Sequence, residues 1–402
     1  MKYGVIVYRN TRNIGDDIQS YAASKLLPQV DYYIEREQLD TFRPKEDEPV
    51  NAIMNGWFMY NKLAWPVSPC INPLYISMHF WKNDALGIDS SFLKGLGGEE
   101  LRQYAPIGCR DTETQQMLEE CGIKTWFSGC LTLTLKPVFP QTDGGYICLV
   151  NASEKVAEYI NKQYPDEVIR KIDQEADGLV KQRADWVERF SEVEKLLTIY
   201  QNAKAVVTTR LHCAMPCLAL GTPVLLLTED GIAEQGRFDG LLQYVRHAAE
   251  KEFLTGEAGF NLRTPTPNSD AYLACCRGLE ENVRTFFMDH HDCTPEARAR
   301  FARFDAEWTR RAKWKNEQLE RLSYQAIQRW KENHAWMDEL TAANAWNANK
   351  VRELEQELLK RNQVIENLNT ELDMIKNGRH LKILEKLRTI MRKFVCTKNK
   401  IH

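Results

Sequence analysis

The sequence predicts an α/β protein in which two sheets of parallel strands are followed by a long helical extension. Short apolar and β-branched runs such as YGVIVY and TPVLLL alternate with amphipathic segments, which is typical of strand–helix units with parallel strands. Glycine is absent from 279 to 377, a range rich in Glu, Lys, Arg, Gln and Ala. The 402 residues, 43% of them hydrophobic, suffice for two or three domains with their own cores.

The first domain, residues 1–140, begins with a strand, a loop and a helix. YGVIVY is followed by RNTRNIGD and then by DDIQSYAASKLL, whose apolar residues recur at helical spacing. We expect Asp16 or Asp17 to cap this helix and Gly15 to permit a tight turn. Because a helix N-terminus offers N–H groups to anions, this loop is a candidate phosphate or carboxylate site, with an ordinary strand–helix turn as the alternative.

An aromatic segment follows at residues 51–81. It combines many Trp, Tyr and Phe residues with three prolines, and its helical periodicity is poor. The segment predicts either a core strand followed by an aromatic loop or a surface on which sugar rings stack.

The block PIGCRDTETQQMLEECGIKTWFSGCLTLTL carries a second polar loop. Arg110 and Asp111 precede a helix that ends at Gly122, and a strand follows. A salt bridge with a helix cap is the alternative interpretation of this pair. The prolines and glycines of KPVFPQTDGG then predict a domain boundary near 136–145.

The second domain, residues 141–295, places an arginine and a histidine after the strand KAVVTT. Ligands of parallel sheets gather at the carboxyl ends of strands, where Arg210 and His212 lie. A buried cation without a partner is costly, so the pair indicates a site. Because Pro216 follows closely, we expect the next helix to begin late or to bend, with Arg210 and His212 on extended backbone.

The extension, residues 296–376, is predicted to be helical, and residues 377–402 to form a basic amphipathic tail. A heptad pattern interrupted at Arg361 favours a coiled coil and a homodimer through 351–375, with a single docked helix as the alternative. The tail favours contact with an anionic membrane, a solvated tail being the alternative. The apolar heptad positions are Val351, Leu354, Leu358, Ile365, Leu368, Leu372 and Ile375.

Composition excludes several classes of protein. Lys and Arg total 53 against 56 Asp and Glu, a formal charge of -3, so we expect no nucleic-acid partner. No signal peptide or spanning helix is predicted, which favours the cytoplasm, at the inner membrane face if the tail binds there. The eleven cysteines lack a disulfide spacing and are expected to be reduced; no metal site is expected.

Three blocks together resemble the polysaccharide pyruvyl transferase family over about residues 3–245. They are NIGDDIQSYA, PIGCRDTETQQMLEECGI with FSGCLTLTL, and TTRLHCAMPCLALGTPVLLL with GRFDGLLQYV. The resemblance implies two Rossmann-like domains in a glycosyltransferase-B-like arrangement, with the site in the cleft. It also implies transfer of pyruvate from phosphoenolpyruvate to a sugar or lipid-linked glycan of the cell surface as a ketal, without a cofactor.

The resemblance also implies roles for particular residues. His212 would protonate the methylene carbon of the donor, and the arginines would hold the donor's carboxylate and phosphate, while Asp16 or Asp111 would position or deprotonate the sugar hydroxyl. The implied catalytic residues are His212, Arg210 and Asp16, and the implied donor-binding residues are Arg110, Asp111, Gly15 and Leu211. Two alternatives stay open: a nucleotide-sugar-dependent glycosyltransferase, and a non-catalytic coiled-coil scaffold with a degenerate transferase body.

Overall fold

The computed structural model describes residues 1–9, 11–46, 48–58, 65–80, 90–142, 144–175, 185–228, 238–290, 299, 302, 304–342 and 356–368. The chain forms two units, Met1–Phe301 and Ala302–His402. Both predicted sheets lie in the first unit.

The first sheet has six parallel strands. Most of their residues are buried, as expected for a parallel sheet flanked by helices, and this explains the continuous apolar runs in the sequence. The strands are β1 (Lys2–Val7), β2 (Tyr32–Glu35), β3 (Val50–Phe58), β4 (Ile71–Phe80), β5 (Ile107–Cys109) and β6 (Thr125–Phe127). Their order is β2-β1-β3-β4-β5-β6. The accompanying helices are α1 (Ile14–Ser24), α2 (Leu96–Gln103) and α3 (Thr112–Glu120), with 3₁₀ turns at Arg36–Thr41, Ser90–Lys94 and Leu131–Thr134.

The aromatic segment 51–81 contributes two strands that pair with each other. β3 and β4 pair in parallel along their length, and the rings of Phe58, Trp65 and Phe80 lie 5.5 to 6.0 Å apart in the core beside them. These rings are packing residues. Pro73 lies inside β4 and has no N–H to donate to a neighbouring strand. A proline in this position argues against a strand, so β4 is difficult to predict from the sequence.

The second sheet has five parallel strands. They are β7 (Tyr146–Val150), β8 (Val168–Ile172), β9 (Ala205–Thr208), β10 (Val224–Thr228) and β11 (His247–Ala249), in the order β11-β10-β9-β7-β8. The helices between and after them are α4 (Glu154–Gln163), α5 (Trp186–Asn202), α6 (Leu211–Leu220), α7 (Glu250–Thr255) and α8 (Leu273–Asp289), with 3₁₀ turns at Leu242–Tyr244 and Asp270–Tyr272. The sequence predicts only charged helices between β7 and β9. This prediction is wrong for Val168–Ile172, which form the edge strand β8 and are largely exposed.

Helix α1 of the first lobe packs in the hydrophobic core of the second lobe. Ile18 and Tyr21 of α1 pack among residues of α5, α6 and the second sheet. A buried ion pair crosses the same contact, where Arg189 of α5 donates to both carboxylate oxygens of Asp17 and to the carbonyl of Tyr8. Helix α8 follows the second sheet in the chain but packs against β1 and α1. These contacts fix the two lobes against each other.

The second unit contains the helix α9 (Phe304–Ala342) and a helix over 356–368. Arg361, which interrupts the heptad pattern, donates a hydrogen bond to the carbonyl of Arg329 in α9. Leu358, at an apolar heptad position, is 47% exposed. The other heptad positions before 356 and after 368 lie outside the described residues, as does the basic tail 377–402, so the coiled coil, the homodimer and the membrane contact stay predictions. No helix in the described part of the chain is both long and apolar enough to span a membrane.

Candidate active site at the junction of the two sheets

The carboxyl ends of β7, β8 and β9 lie side by side and are tied together by polar contacts. Asn151, which follows β7 with a φ of 50°, donates from Nδ2 to Asp173 after β8, at 2.6 Å. Its Oδ1 accepts from the backbone N–H of Gln174 at 3.0 Å, and its carbonyl accepts from the Thr209 hydroxyl after β9, also at 3.0 Å. The three strand ends therefore form a fixed platform beneath the Arg-Leu-His segment, at the edge where parallel sheets bind ligands.

Arg210 is the N-cap residue of α6 and lies partly exposed at this platform. Its backbone is extended, with φ −102° and ψ 125°, as the sequence predicts. Its Nη2 donates to Glu175 Oε1 at 3.2 Å, and Arg12 lies 3.9 Å from the other oxygen of the same carboxylate. An anion that enters this site would compete with Glu175 for the guanidinium of Arg210.

His212 lies in the first turn of α6 and is almost completely buried. The helix begins at Leu211 and bends at His212, whose ψ is 19°, so the predicted bend is present. The extended backbone predicted for His212 is wrong, because its peptide already belongs to the helix. Pro216 has no N–H to donate to the His212 carbonyl, and that carbonyl accepts from Gln174 Nε2 at 3.2 Å.

The N-terminal loop meets the Arg-Leu-His segment at Gly15. Helix α1 is capped by Asn13, whose Oδ1 accepts from the Gly15 N–H at 2.9 Å. The prediction of an Asp16 or Asp17 cap is therefore wrong, since both lie in the first turn. Gly15 also forms no tight turn: it is helical, and a Cβ there would lie 2.9 Å from the Cβ of His212 and 3.2 Å from its Nδ1. The close approach of His212 explains the glycine.

The two aspartates of α1 have different surroundings. Asp17 is occupied by the ion pair with Arg189. Asp16 is buried, and its carboxylate accepts from the Thr11 hydroxyl at 2.6 Å and from Gln19 Nε2 at 3.3 Å. Asp16 is therefore a carboxylate held by neutral donors one residue away from the contact with His212.

The Arg-Asp pair follows β5 and is buried. Asp111 caps α3, with Oδ1 accepting from the Thr114 N–H at 3.0 Å, and its Oδ2 lies 2.7 Å from His79 Nδ1 and 3.3 Å from Arg110 Nε. Burial alone would raise the pKa of Asp111, but the charges of His79 and Arg110 and the hydrogen bonds outweigh burial and lower it. Asp111 is thus a buried carboxylate with a lowered pKa that forms an ion pair with Arg110.

Tyr8 and Cys130 are buried groups whose pKa values are affected by the charge of Arg110. Burial raises the pKa of the Tyr8 hydroxyl, the charge of Asp16 adds to the rise, and the charge of Arg110 opposes it. Arg110 likewise opposes the rise that burial causes in the pKa of the Cys130 thiol, which packs in the hydrophobic core of the second lobe.

Five of the predicted site residues lie together where the N-terminal loop meets the Arg-Leu-His segment. His212 touches Gly15, Asp16 follows Gly15, and Arg210 and Leu211 precede His212. Arg110 and Asp111 follow β5, which is separated from β1 by β3 and β4 in the first sheet. Leu211 is largely buried and packs in the hydrophobic core of the second lobe. Sequence patterns miss several polar residues of the junction: His79, Asn151, Gln174 and Glu175.

Two further features bear on the chemistry. Among the described residues, no group of three or more His, Cys, Asp and Glu side chains is placed to hold a metal ion. A surface pocket of about 770 Å³ lies away from the motif residues, between the end of α1 and α8. Its lining residues are Tyr3, Lys25, Leu26, Pro28, Glu280, Val283, Arg284, Phe287 and Met288.

Comparison with known proteins identifies the family. The family model of the polysaccharide pyruvyl transferases matches residues 13–231, more than half of the chain. The matched range includes the predicted site residues from Gly15 to His212. No curated protein sequence matches the chain.

Similar solved structures include three proteins of low sequence identity. An uncharacterised protein of Klebsiella pneumoniae is 12% identical, with a TM-score of 0.33, over 58% of this chain and 87% of its own. The UDP-GlcNAc 2-epimerase of Methanocaldococcus jannaschii is 11% identical, with a TM-score of 0.36, over 72% of this chain and 100% of its own. The Escherichia coli heptosyltransferase WaaC is 12% identical, with a TM-score of 0.28, over 56% and 88%. From the match of the family model, the chain belongs to the polysaccharide pyruvyl transferase family.

Proposed function

We propose that this protein transfers pyruvate from phosphoenolpyruvate to two hydroxyl groups of a sugar in a surface glycan, forming a ketal. The observation that supports this most directly is the contact of His212 with Gly15, which brings the Arg-Leu-His segment against the N-terminal loop. We further propose that the two Rossmann-like lobes have the glycosyltransferase-B-like arrangement, with the donor at their junction.

In this proposal two arginines bind the donor. A guanidinium group presents N–H donors in a planar fork that matches both carboxylate and phosphate. Arg110 is buried, and its Nε lies 3.3 Å from Asp111 Oδ2. Arg210 is partly exposed and exchanges Glu175 for the donor.

The chemical steps then use one proton donor and one carboxylate. Protonated His212 gives its proton to the methylene carbon, leaving a cation-like carbon that the first sugar hydroxyl attacks. The second hydroxyl takes the place of phosphate, which leaves, and the two hydroxyl protons are released. Asp16, held by Thr11 and Gln19, positions the attacking hydroxyl or accepts its proton.

The test is an assay of the full-length protein with phosphoenolpyruvate and a panel of nucleotide-linked and lipid-linked sugars. We expect phosphate release together with a pyruvylated product detected by mass spectrometry, and loss of both in His212→Ala and Arg210→Ala. Arg284→Ala is the matched control, because Arg284 is also ion-paired and partly exposed but lies on α8. Transfer of the sugar from its nucleotide, with phosphoenolpyruvate untouched, would assign a glycosyltransferase instead.

We also propose roles for the C-terminal unit: a homodimer through 351–375 and attachment of 377–402 to the cytoplasmic membrane face, near a lipid-linked acceptor. Truncation after residue 300 should then abolish dimerisation and liposome binding while turnover on a soluble acceptor continues. Sedimentation and vesicle flotation measure the first two properties. A protein that lost every function on truncation would be a scaffold.

A further inference from the structure

Gln174 lies at the centre of the junction and is completely buried. Its Nε2 donates to the carbonyl of His212 at 3.2 Å and to the hydroxyl of Tyr200 at 2.9 Å. The backbone carbonyl of Gln174 accepts a hydrogen bond from the N–H of Ile14, at the start of α1, at 2.8 Å. One residue therefore contacts both the Arg-Leu-His helix and the N-terminal loop.

The bond to His212 compensates for a defect in α6. In a regular helix the N–H of residue 216 would donate to the carbonyl of residue 212, but proline has no N–H and its ring clashes with that carbonyl. The bend at His212 is the expected consequence. The carbonyl of His212 therefore has no donor within the helix, and Gln174 supplies one from outside it.

We propose that Gln174 is a positioning residue for His212. By holding the His212 peptide, it fixes the direction in which the imidazole leaves the backbone, against Gly15 and toward the donor. The hydrogen bond from the Ile14 N–H to the Gln174 backbone carbonyl also fixes the position of the N-terminal loop. The effect of Gln174 on turnover rests on the proposed function.

The chain offers a test by rescue. Gln174→Met keeps the length of the side chain but removes the donor, and it should lower kcat by about 10- to 100-fold, since a displacement near 1 Å can cost about 100-fold. KM for phosphoenolpyruvate should change less than about threefold, since both arginines are untouched. Pro216→Ala returns an N–H to residue 216, so the double variant should recover most of the lost kcat.

Gln201→Met is the matched control. Gln201 also joins its side chain to backbone groups, at Phe139, but lies away from the junction. This variant should leave kcat unchanged and should gain nothing from Pro216→Ala. If Gln174→Met does not fold, Gln174→Leu tests the same donor, because an apolar side chain of similar size cannot donate.

A second readout separates this inference from the proposed function. The imidazole resonances of His212, assigned by their absence from His212→Ala, should shift in Gln174→Met and return in the double variant with Pro216→Ala. This result supports the positioning role even if no pyruvyl transfer is found with any acceptor. Unchanged resonances and kcat in Gln174→Met, or a loss that Pro216→Ala does not reverse, would overturn it.

Discussion

Replacement of Gly15 by alanine probes the contact between the N-terminal loop and the Arg-Leu-His helix. The added methyl group would lie 2.9 Å from the Cβ of His212 and 2.9 Å from the Oδ1 of Asn13, closer than atoms pack without movement. Either the imidazole moves away or the Asn13 cap opens. Both outcomes disturb the site from a position that has no side chain of its own.

The structure gives the size of the effect on stability. Glycine to alanine in a helix normally stabilises by about 0.5–1 kcal/mol. Overpacking costs about 1–3 kcal/mol. Gly278 is the matched control, because it lies inside α8 and a Cβ there meets no atom within 4 Å. Gly278→Ala should therefore stabilise the protein, and Gly15→Ala should be less stable than Gly278→Ala by about 1–3 kcal/mol.

Chemical denaturation of the two variants measures this difference, and the pyruvyl transfer assay measures its consequence. We expect turnover of Gly15→Ala to fall about 10- to 100-fold while Gly278→Ala keeps full activity. If both variants gained the same stability and kept the same turnover, Gly15 and His212 would not be in close contact and the junction described here would be wrong.

Three further predictions concern buried charges. Arg189→Met should cost about 3–5 kcal/mol of unfolding free energy, because it removes the guanidinium partner of the buried Asp17 carboxylate, and adding Asp17→Leu should recover much of the loss in urea denaturation. Asp111→Asn should be destabilising at neutral pH. Because the pKa of Asp111 is lowered in the folded protein, its ionised carboxylate stabilises the fold above the ordinary pKa of 3.8, and this stabilisation is lost as pH falls through the folded pKa. The difference in unfolding free energy between wild type and variant should therefore disappear in acid. Burial, then the charge of Glu37, raises the pKa of Glu35 to about 7. Wild type should therefore lose stability as pH rises from 4.5 to about 7, and Glu35→Gln should be more stable than wild type above pH 7, by up to about 3 kcal/mol in thermal unfolding at a series of pH values.

The positions of the polar loops could be predicted from the sequence because strand ends stand out against apolar runs. Arg210 and His212 follow the apolar run of β9 directly, and Arg110 follows β5 in the same way. In parallel sheets such residues occupy the ligand-binding edge whatever the details of packing. The bend that Pro216 causes is also local, since it depends only on the missing N–H and the ring of proline.

The cap of α1 and the role of Gly15 depend on tertiary contacts. Asn13, Asp16 and Asp17 are all good capping residues, so local sequence does not select among them. A bridge between Asn13 and Glu175 and the bond from Ile14 to Gln174 place the start of the helix. Gly15 is required by the side chain of His212, which lies almost 200 residues further along the chain.

The residues around Gln174 could not be found from the sequence for a related reason. β8 is an edge strand with exposed residues, so its sequence lacks the apolar run that marks the other strands. Its neighbour in the sheet is β7 and not β9, which follows it in the chain. This strand order places Asp173 beside Asn151 and Glu175 beside Arg210.

The most direct test of the central claim is a crystal structure of the full-length protein with a non-reactive analogue of phosphoenolpyruvate. The account predicts the analogue at the junction of the two sheets, with Arg210 released from Glu175 and bonded to the ligand, the guanidinium of Arg110 on its second anionic group, and the imidazole of His212 facing the methylene position. An analogue bound elsewhere, for instance in the pocket between α1 and α8, with the Arg210–Glu175 pair intact, would contradict it.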